Sequence, residues 1–183
     1  LAMGRYSHEN AAVMPDEQTV YLTDDGYETV LFKFVANTAG DLSSGTLYGA
    51  KVNQDSTRDS AVAGFDVEWM EMASSSNSEI QAWIDEYDGI TTDDFVSGQN
   101  SYISDEEIND WAEAQLNRDL NGDGTVGSAE DDRVAFLESR KAAAALGATD
   151  EWNKIEGVAF NPNAPESLYL AMSRIESAMT DGQ

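Results

Sequence analysis

Residues 20–51 read VYLTDDGYETVLFKFVANTAGDLSSGTLYGAK and predict three short β-strands in succession. Within residues 28–35 the apolar side chains alternate, which places Val30, Phe32 and Phe34 on one face. Leu31, Lys33 and Val35 lie on the other face. This period of two residues is typical of a β-strand, so the sequence predicts a strand over residues 28–35.

The neighbouring sequence extends this β pattern. A first strand is predicted at residues 18–23 before the turn Asp-Asp-Gly, and the polar residues 37–45 predict a loop. Further strands are predicted at residues 45–53 and 65–72, where apolar and polar residues again alternate. Four or so short strands joined by turns are typical of one propeller blade or of part of a β-sandwich. The sequence has no internal repeat of the length of a propeller blade, so its periodicity does not favour the propeller over the sandwich.

The middle of the chain changes to a helical pattern. Ser104 with Glu107 forms a capping box, and a second capping box is predicted for Ser128 with Asp131. Gly147 is placed to end the second of these helices in a left-handed conformation. After a polar break at residues 74–77, the predicted helical segments are residues 79–87, a short turn at 91–96, a helix after Ser104, and residues 129–146.

These patterns divide the chain into three parts. Residues 1–73 form the β-strand segment, residues 74–147 form a helical insertion, and residues 148–183 return to strands. The predicted strands of the last part are residues 156–160 and 167–173. The expected fold class is therefore mainly β with a helical insertion.

The composition restricts the functions that the chain can have. The 183 residues carry 35 Asp and Glu against 10 Lys and Arg, a formal net charge of -25. Such a charge argues against binding to nucleic acid or to an anionic membrane surface, and no apolar run reaches the ~18 residues of a membrane span. Cysteine is absent and His8 is the single histidine, so thiolate and multi-histidine metal sites are excluded. Carboxylate oxygens are plentiful and suit calcium.

The sharpest local motif is residues 119–130, DLNGDGTVGSAE, which fits the calcium loop of an EF-hand at every constrained position. Its spacing places oxygen donors at loop positions 1, 3, 5, 7 and 12, with a water at position 9 and a turn-forming glycine at position 6. Helices are predicted on both sides of this loop. The predicted calcium ligands are the side chains of Asp119, Asn121 and Asp123, the carbonyl of Thr125, and the carboxylate of Glu130.

A calcium sensor would need a second, paired loop. Residues 85–90 are the one other candidate in the sequence. If its glycine, Gly89, is aligned with loop position 6, the first ligand position falls on Ile84, which has no oxygen in its side chain. The sequence therefore favours a structural calcium clip over a sensor.

Three separated stretches carry a further signal in their order and spacing. They are GRYSHENA at residues 4–11, then VYLTDD, LFKFV and GTLYGAK within residues 20–51, and residues 139–158, which contain SRKAA, LGAT and KIEGV. Together they resemble the PhoX-type alkaline phosphatase family, with its aromatic-x-His-Glu, VYxGDD…LYKFV…GTLYVAK and TRxxA…GAT…RPEW patterns. The resemblance spans nearly the whole chain and is weak over residues 74–126.

The resemblance implies a β-propeller with iron and calcium at its centre, which hydrolyses phosphomonoesters in the periplasm or after secretion. By position, Glu9 and Glu156 match glutamates that ligate the metals, and Asp24 and Asp25 are weaker calcium candidates. Lys154 stands where the family has an arginine close to the substrate phosphate. The cysteine that ligates iron in the family is absent from this sequence.

Two functions are therefore expected. In the first, the chain is a segment of an extracytoplasmic, metal-dependent phosphatase whose active site is completed by the remainder of the propeller, on the same or a separate chain. Its catalytic residues are Glu9, Glu156 and Lys154, and its substrate is a phosphate ester. The alternative is a non-catalytic, calcium-binding module of a secreted or surface protein. His8 is expected to be a structural histidine rather than a catalytic base.

Overall fold

The computed structural model describes residues 1–55, 64–88, 93 and 103–180. These residues form seven β-strands, four α-helices and one short 3-10 helix. The strands are β1 His8–Val13, β2 Thr19–Asp24, β3 Phe32–Thr38, β4 Asp41–Gln54, β5 Phe65–Ser76, β6 Ile155–Asn161 and β7 Ala164–Met172. The helices are α1 Asn77–Tyr87, α2 Asp105–Leu116, α3 Arg133–Leu137 and α4 Ser139–Leu146, and the 3-10 helix is Ser177–Thr180.

The first five strands form one antiparallel sheet in the order β1-β2-β3-β4-β5. On one face, Leu22 lies opposite Phe32, Val20 opposite Phe34, and Phe34 opposite Leu47. All five side chains are at most 3% exposed. Each such burial stabilises the fold by about 1.5–3 kcal/mol relative to an exposed side chain, so this face forms the main core.

The helices cover this apolar face of the sheet. Ile80 of α1, Trp111 of α2 and Phe136 of α3 are at most 1% exposed and belong to the same core cluster as the sheet residues. None of the helices in the described ranges is both long and apolar enough to cross a membrane.

The last two strands, β6 and β7, form a separate antiparallel hairpin beside β1 and β2. A second small core attaches it to the sheet, with Leu31 and Ala50 on one side and Trp152 and Ile155 on the other. The backbone N–H of Thr29 also donates to the carbonyl of Trp152 over 2.8 Å. The start of β6 is thereby fixed next to the turn after β2.

The predicted start of α2 is confirmed, whereas α1 begins at Asn77, two residues before the start predicted at residue 79. The hydroxyl of Ser104 accepts from the N–H of Glu107, and the Glu107 side chain accepts from the N–H of Ser104, so the capping box is present. Helix α1 is capped by Ser76. The polar break predicted at residues 74–77 is wrong, because β5 continues to Ser76 and pairs with β4 up to that residue.

The second predicted capping box is wrong. No helix begins at Ser128 within the described chain, because the Asp131 carboxylate binds the guanidinium and backbone N–H of Arg133 instead of the N–H expected of a cap. The predicted helix 129–146 is therefore two shorter helices, α3 and α4, which meet at Glu138. Its predicted end is confirmed, since Gly147 has a φ of +95°.

The loop predicted at residues 37–45 is mostly strand, because β3 continues to Thr38 and β4 begins at Asp41. The turn is confined to two residues, and Gly40 there has a φ of +75°. The helical turn predicted at residues 91–96 lies outside the described residues except for Asp93. The mainly β class is confirmed as two antiparallel sheets with few helices, whereas the propeller and the three-part division stay predictions.

Candidate functional site

The turn after β2 and the start of β6 bring four polar side chains together. Lys154 Nζ donates to Asp25 Oδ1 over 2.5 Å and lies 3.7 Å from Glu156 Oε1. The hydroxyl of Ser173, just after β7, donates to the same Glu156 oxygen over 2.6 Å. Residues far apart in sequence therefore form one continuous polar cluster, with a cation between two carboxylates.

The backbone fixes Lys154 in this position. Its N–H donates to the carbonyl of Gly26 over 2.8 Å, and its carbonyl accepts from the N–H of Ser173 over 3.1 Å. Its φ of +53° is uncommon for a residue with a side chain. The hydrogen bond from its ammonium to Asp25 raises the pKa of Lys154, so the side chain is a fixed positive charge at neutral pH.

Asp24, next to Asp25, is 0% exposed and is engaged by an arginine. Arg140 of α4 donates through Nε to Asp24 Oδ2 over 2.7 Å and through Nη2 to Oδ1 over 2.5 Å. The N–H of Ser7 also donates to Oδ1 over 3.2 Å. Of the two weaker calcium candidates, Asp24 lies in a buried ion pair, and Asp25 is the one that faces the polar cluster.

Glu9 lies in a β-bulge between β1 and β2. The register places Glu9 and Asn10 together opposite Thr23, and such bulges redirect side chains locally. Asn10 Oδ1 accepts from the N–H of Val158 over 3.3 Å, which attaches the bulge to β6. The Glu9 side chain is exposed and makes no hydrogen bond or ion pair with Lys154 or Glu156. The bulge therefore contacts β6 through Asn10, whereas the Glu9 side chain makes no polar contact with the cluster around Lys154.

His8 is held by local contacts. Its ring stacks on Tyr6 with centroids 3.8 Å apart, and Nε2 lies 3.0 Å from the carbonyl oxygen of Gly4. Because that carbonyl can only accept, Nε2 must carry a proton. Tyr6 in turn stacks on the buried Phe32, at 4.2 Å. These contacts suit the structural histidine that was expected.

The predicted calcium loop lies between α2 and α3. The Asp119 carboxylate accepts from the N–H groups of Gly122 and Gly124, over 2.6 and 2.9 Å. Asn121 Oδ1 accepts from the N–H of Asp123 over 2.9 Å, and Asp123 Oδ1 from that of Thr125 over 2.8 Å. Three of the predicted ligands thus point their oxygens at the backbone of their own loop.

Glu130, the predicted last ligand, precedes α3 rather than lying in it, because the helix begins at Arg133. It is exposed and lines a small cleft of about 200 Å³ with Glu107 and Asp110. Among the residues that the structure describes, no group of three or more His, Asp or Glu side chains is arranged to hold a metal ion. The loop therefore has the sequence of a calcium site, with its carboxylates not gathered around one point.

A carboxylate outside the motif anchors this loop. Glu113 of α2 is 1% exposed and accepts backbone hydrogen bonds from Leu120, Asn121 and Gly127. These hydrogen bonds hold the pKa of Glu113 below its usual value, and the one from Leu120 has the largest effect. The sequence analysis missed Glu113, Arg140 and Ser173, since none of them lies in a motif that specifies a partner.

The fold and the cluster define a β-rich chain whose polar centre combines carboxylates with a lysine, an arrangement suited to anions and hard cations. Residues 1–181 match the family model described as alkaline phosphatase PhoX, so the chain belongs to the PhoX alkaline phosphatase family. Comparison with curated proteins and with solved structures gives no significant match. The resemblance identified from the motifs is thereby confirmed, and the family membership indicates a metal-dependent phosphatase of a typically extracytoplasmic family.

Proposed function

We propose that the chain supplies part of the active site of an extracytoplasmic phosphomonoesterase. In this proposal the Lys154 ammonium binds a phosphate oxygen of the substrate, and Glu9, Glu156 and Asp25 are metal ligands. The observation that carries the proposal is the cluster in which Lys154 lies between Asp25 and Glu156, in a chain of the PhoX family. The remainder of a propeller, on the same or a separate chain, would complete the site.

The chain's own residues have distinct tasks in this proposal. An ammonium carries three N–H donors, and one of those on Lys154 is used by Asp25. The others are available to phosphate oxygens, on which lysine acts as a point charge rather than as the two-pronged donor that arginine provides. Ser173 holds one Glu156 oxygen and so orients that carboxylate.

The residues present fit part of the proposed metal set. Asp25 and Glu156 supply carboxylate oxygens of the kind that hard cations prefer, and both lie within ion-pair distance of the Lys154 ammonium. Iron and calcium, when bound, would supply neutralisation of the phosphate charge. The sequence contains no cysteine, so a thiolate ligand for iron would have to come from outside these residues.

The test uses the longest natural polypeptide that contains this chain, loaded with calcium and iron and assayed with p-nitrophenyl phosphate. Glu156→Gln and Glu9→Gln should each lower the phosphatase activity at least about 100-fold and reduce the amount of metal bound per protein. Each substitution deletes an anionic ligand. Glu166→Gln, an exposed carboxylate on β7, is the matched control and should change neither. Full activity in Glu156→Gln would overturn the assignment.

A second function is calcium binding at residues 119–130, favoured by the fit of that loop to the EF-hand pattern and by its position between two helices. On binding, Asp119, Asn121 and Asp123 would exchange their present partners for the cation, and Glu130 and the Thr125 carbonyl would be further ligands. This site would stabilise the chain with or without phosphatase activity.

Calcium should raise the melting temperature of the chain, and EGTA should reverse the rise, because a ligand that binds only the folded state stabilises it. Asp119→Asn combined with Glu130→Gln should abolish the effect. An equal response in this double variant, or no response in the original chain, would refute a calcium site in this loop.

A further inference from the structure

Glu113 is a carboxylate with an unusual location. It lies in the last turn of α2, outside the predicted calcium loop, and only 1% of it is exposed. Carboxylates are almost never buried to this degree without partners, because removing the charge from water is costly. Within the described residues Glu113 has no cationic partner, and its partners are backbone N–H groups of the loop that follows.

Those partners lie at both ends of the loop. Glu113 Oε1 accepts from the N–H of Leu120 over 2.8 Å and from that of Asn121 over 3.2 Å. Oε2 accepts from the N–H of Gly127 over 2.6 Å. In the EF-hand pattern these donors are positions 2, 3 and 9, so one side chain ties the entry and the exit of the loop to the helix before it.

The packing at Gly127 points to the same closure by an independent route. A Cβ atom at this position would lie 2.4 Å from the Cα of Asp110, so the loop backbone rests directly on α2. This contact explains why position 9 of the loop is a glycine. Val126, which in paired EF-hands contacts a second loop, is 47% exposed here.

We propose that Glu113 is a positioning residue that holds the loop closed on α2 before calcium arrives and so sets the calcium affinity of the loop. The proposal rests on the calcium site proposed above. Ordering a free backbone on binding costs conformational entropy, and a loop that is already held in place avoids that cost. Glu113 lies outside the twelve-residue loop that carries the predicted ligands, and its two oxygens accept from N–H groups of that loop, so its role in the proposal is to hold the loop rather than to bind calcium.

The test compares the chain with Glu113→Gln, which keeps the shape of the side chain and replaces one accepting oxygen by a donor. Calcium binding is measured by calorimetric titration with CaCl₂ well below the melting temperature, so that global unfolding does not enter. We expect at least a tenfold weaker affinity. Without calcium, the amides of Leu120, Asn121 and Gly127 should exchange with deuterium at least tenfold faster.

Glu106→Gln, an exposed carboxylate at the start of α2, is the matched control and should change neither measurement. Gly127→Ala is a second route to the same result, because it pushes the loop away from α2 and leaves Glu113 intact. An unchanged calcium affinity in both Glu113→Gln and Gly127→Ala would overturn the proposal. If the original chain binds no calcium but Glu113→Gln still loses amide protection, the calcium site is refuted and Glu113 only closes the loop.

Discussion

At the residue scale, the pair of Asp24 and Arg140 connects helix α4 to the turn that carries the polar cluster. Asp24 is fully buried, and Arg140 holds both of its oxygens and also lies 3.5 Å from the carbonyl oxygen of Asp25. The sequence motif identified Asp24 as a residue of interest for a different reason, as a candidate calcium ligand. Its actual partner is 116 positions away and could not be derived from local spacing.

Arg140→Met should destabilise the fold by about 3 kcal/mol, because it leaves the Asp24 charge buried without its cationic partner. This is the low end of the usual range, since about a third of the Arg140 side chain is exposed. Lys141→Met is the matched control: its ion pair with Asp105 is exposed, and the loss should stay below about 1 kcal/mol. Urea unfolding at pH 7 measures both, and equal losses would contradict this view of Asp24.

The stability contributed by Lys154 should depend on pH at the alkaline side. Its pKa is raised in the folded state, so its contribution is complete below the unfolded pKa of about 10.4 and is lost as the pH rises through the folded value. Lys154→Met should therefore melt below the original chain at pH 8, with the difference shrinking toward pH 11.5. Lys51→Met, at an exposed position, is the control. A difference independent of pH would show that the ammonium is not what stabilises the site.

At the scale of elements, Ser104 and Ser128 stand in the same sequence pattern and have different roles. Ser104 caps α2, whereas no cap forms at Ser128 because Asp131 is bound by Arg133. Asp132 also accepts from the indole N–H of the buried Trp111 over 3.0 Å, which fixes the chain before α3. Helix α3 therefore begins at Arg133 rather than at the predicted residue 129, because these contacts override the local capping pattern.

Ser104→Ala should cost about 1 kcal/mol, since it removes the side-chain acceptor for a backbone N–H of the first turn of α2. Ser128→Ala should cost less than about 0.5 kcal/mol, because no helix in the described chain uses that hydroxyl. Chemical denaturation of both variants checks this pair. A loss at Ser128 as large as that at Ser104 would mean that a capping box does form there.

The existence of the strands was predicted better than the residues at which they begin and end. The alternation of residues 28–35 placed Phe32 and Phe34 on one face of the strand, and both are buried in the main core. Leu31, on the other face, is also buried, in the second core. The serines at 74–76 looked like a break, yet they continue β5, where the hydroxyls of Ser74 and Thr46 lie 2.7 Å apart across the pair. Polar residues on an edge strand satisfy a sheet as well as apolar ones do, so the local pattern could not show where the strand ends.

At the scale of the whole molecule, the family predicted from the order of the motifs is confirmed, and so is the mainly β class predicted from the strand periodicity. The structure places Asp25, Lys154 and Glu156 side by side, and their roles stay predictions. The contacts that assemble the site, Arg140 on Asp24 and Ser173 on Glu156, are side-chain pairs between distant elements. Periodicity does not specify such pairs, and folding alone brings them together.

The measurement that most directly tests the proposed site is kcat/KM for p-nitrophenyl phosphate in the longest natural polypeptide containing the chain, with Lys154 varied. Lys154→Met should lower kcat/KM by about 100-fold or more. The substitution removes the positive charge that would stabilise the negative charge developing on the phosphate in the transition state. Lys154→Arg should keep activity, since its guanidinium also binds phosphate. Unchanged kcat/KM in Lys154→Met, or no phosphatase activity in the metal-loaded original, would contradict the assignment of Lys154, Asp25 and Glu156 to a phosphatase site.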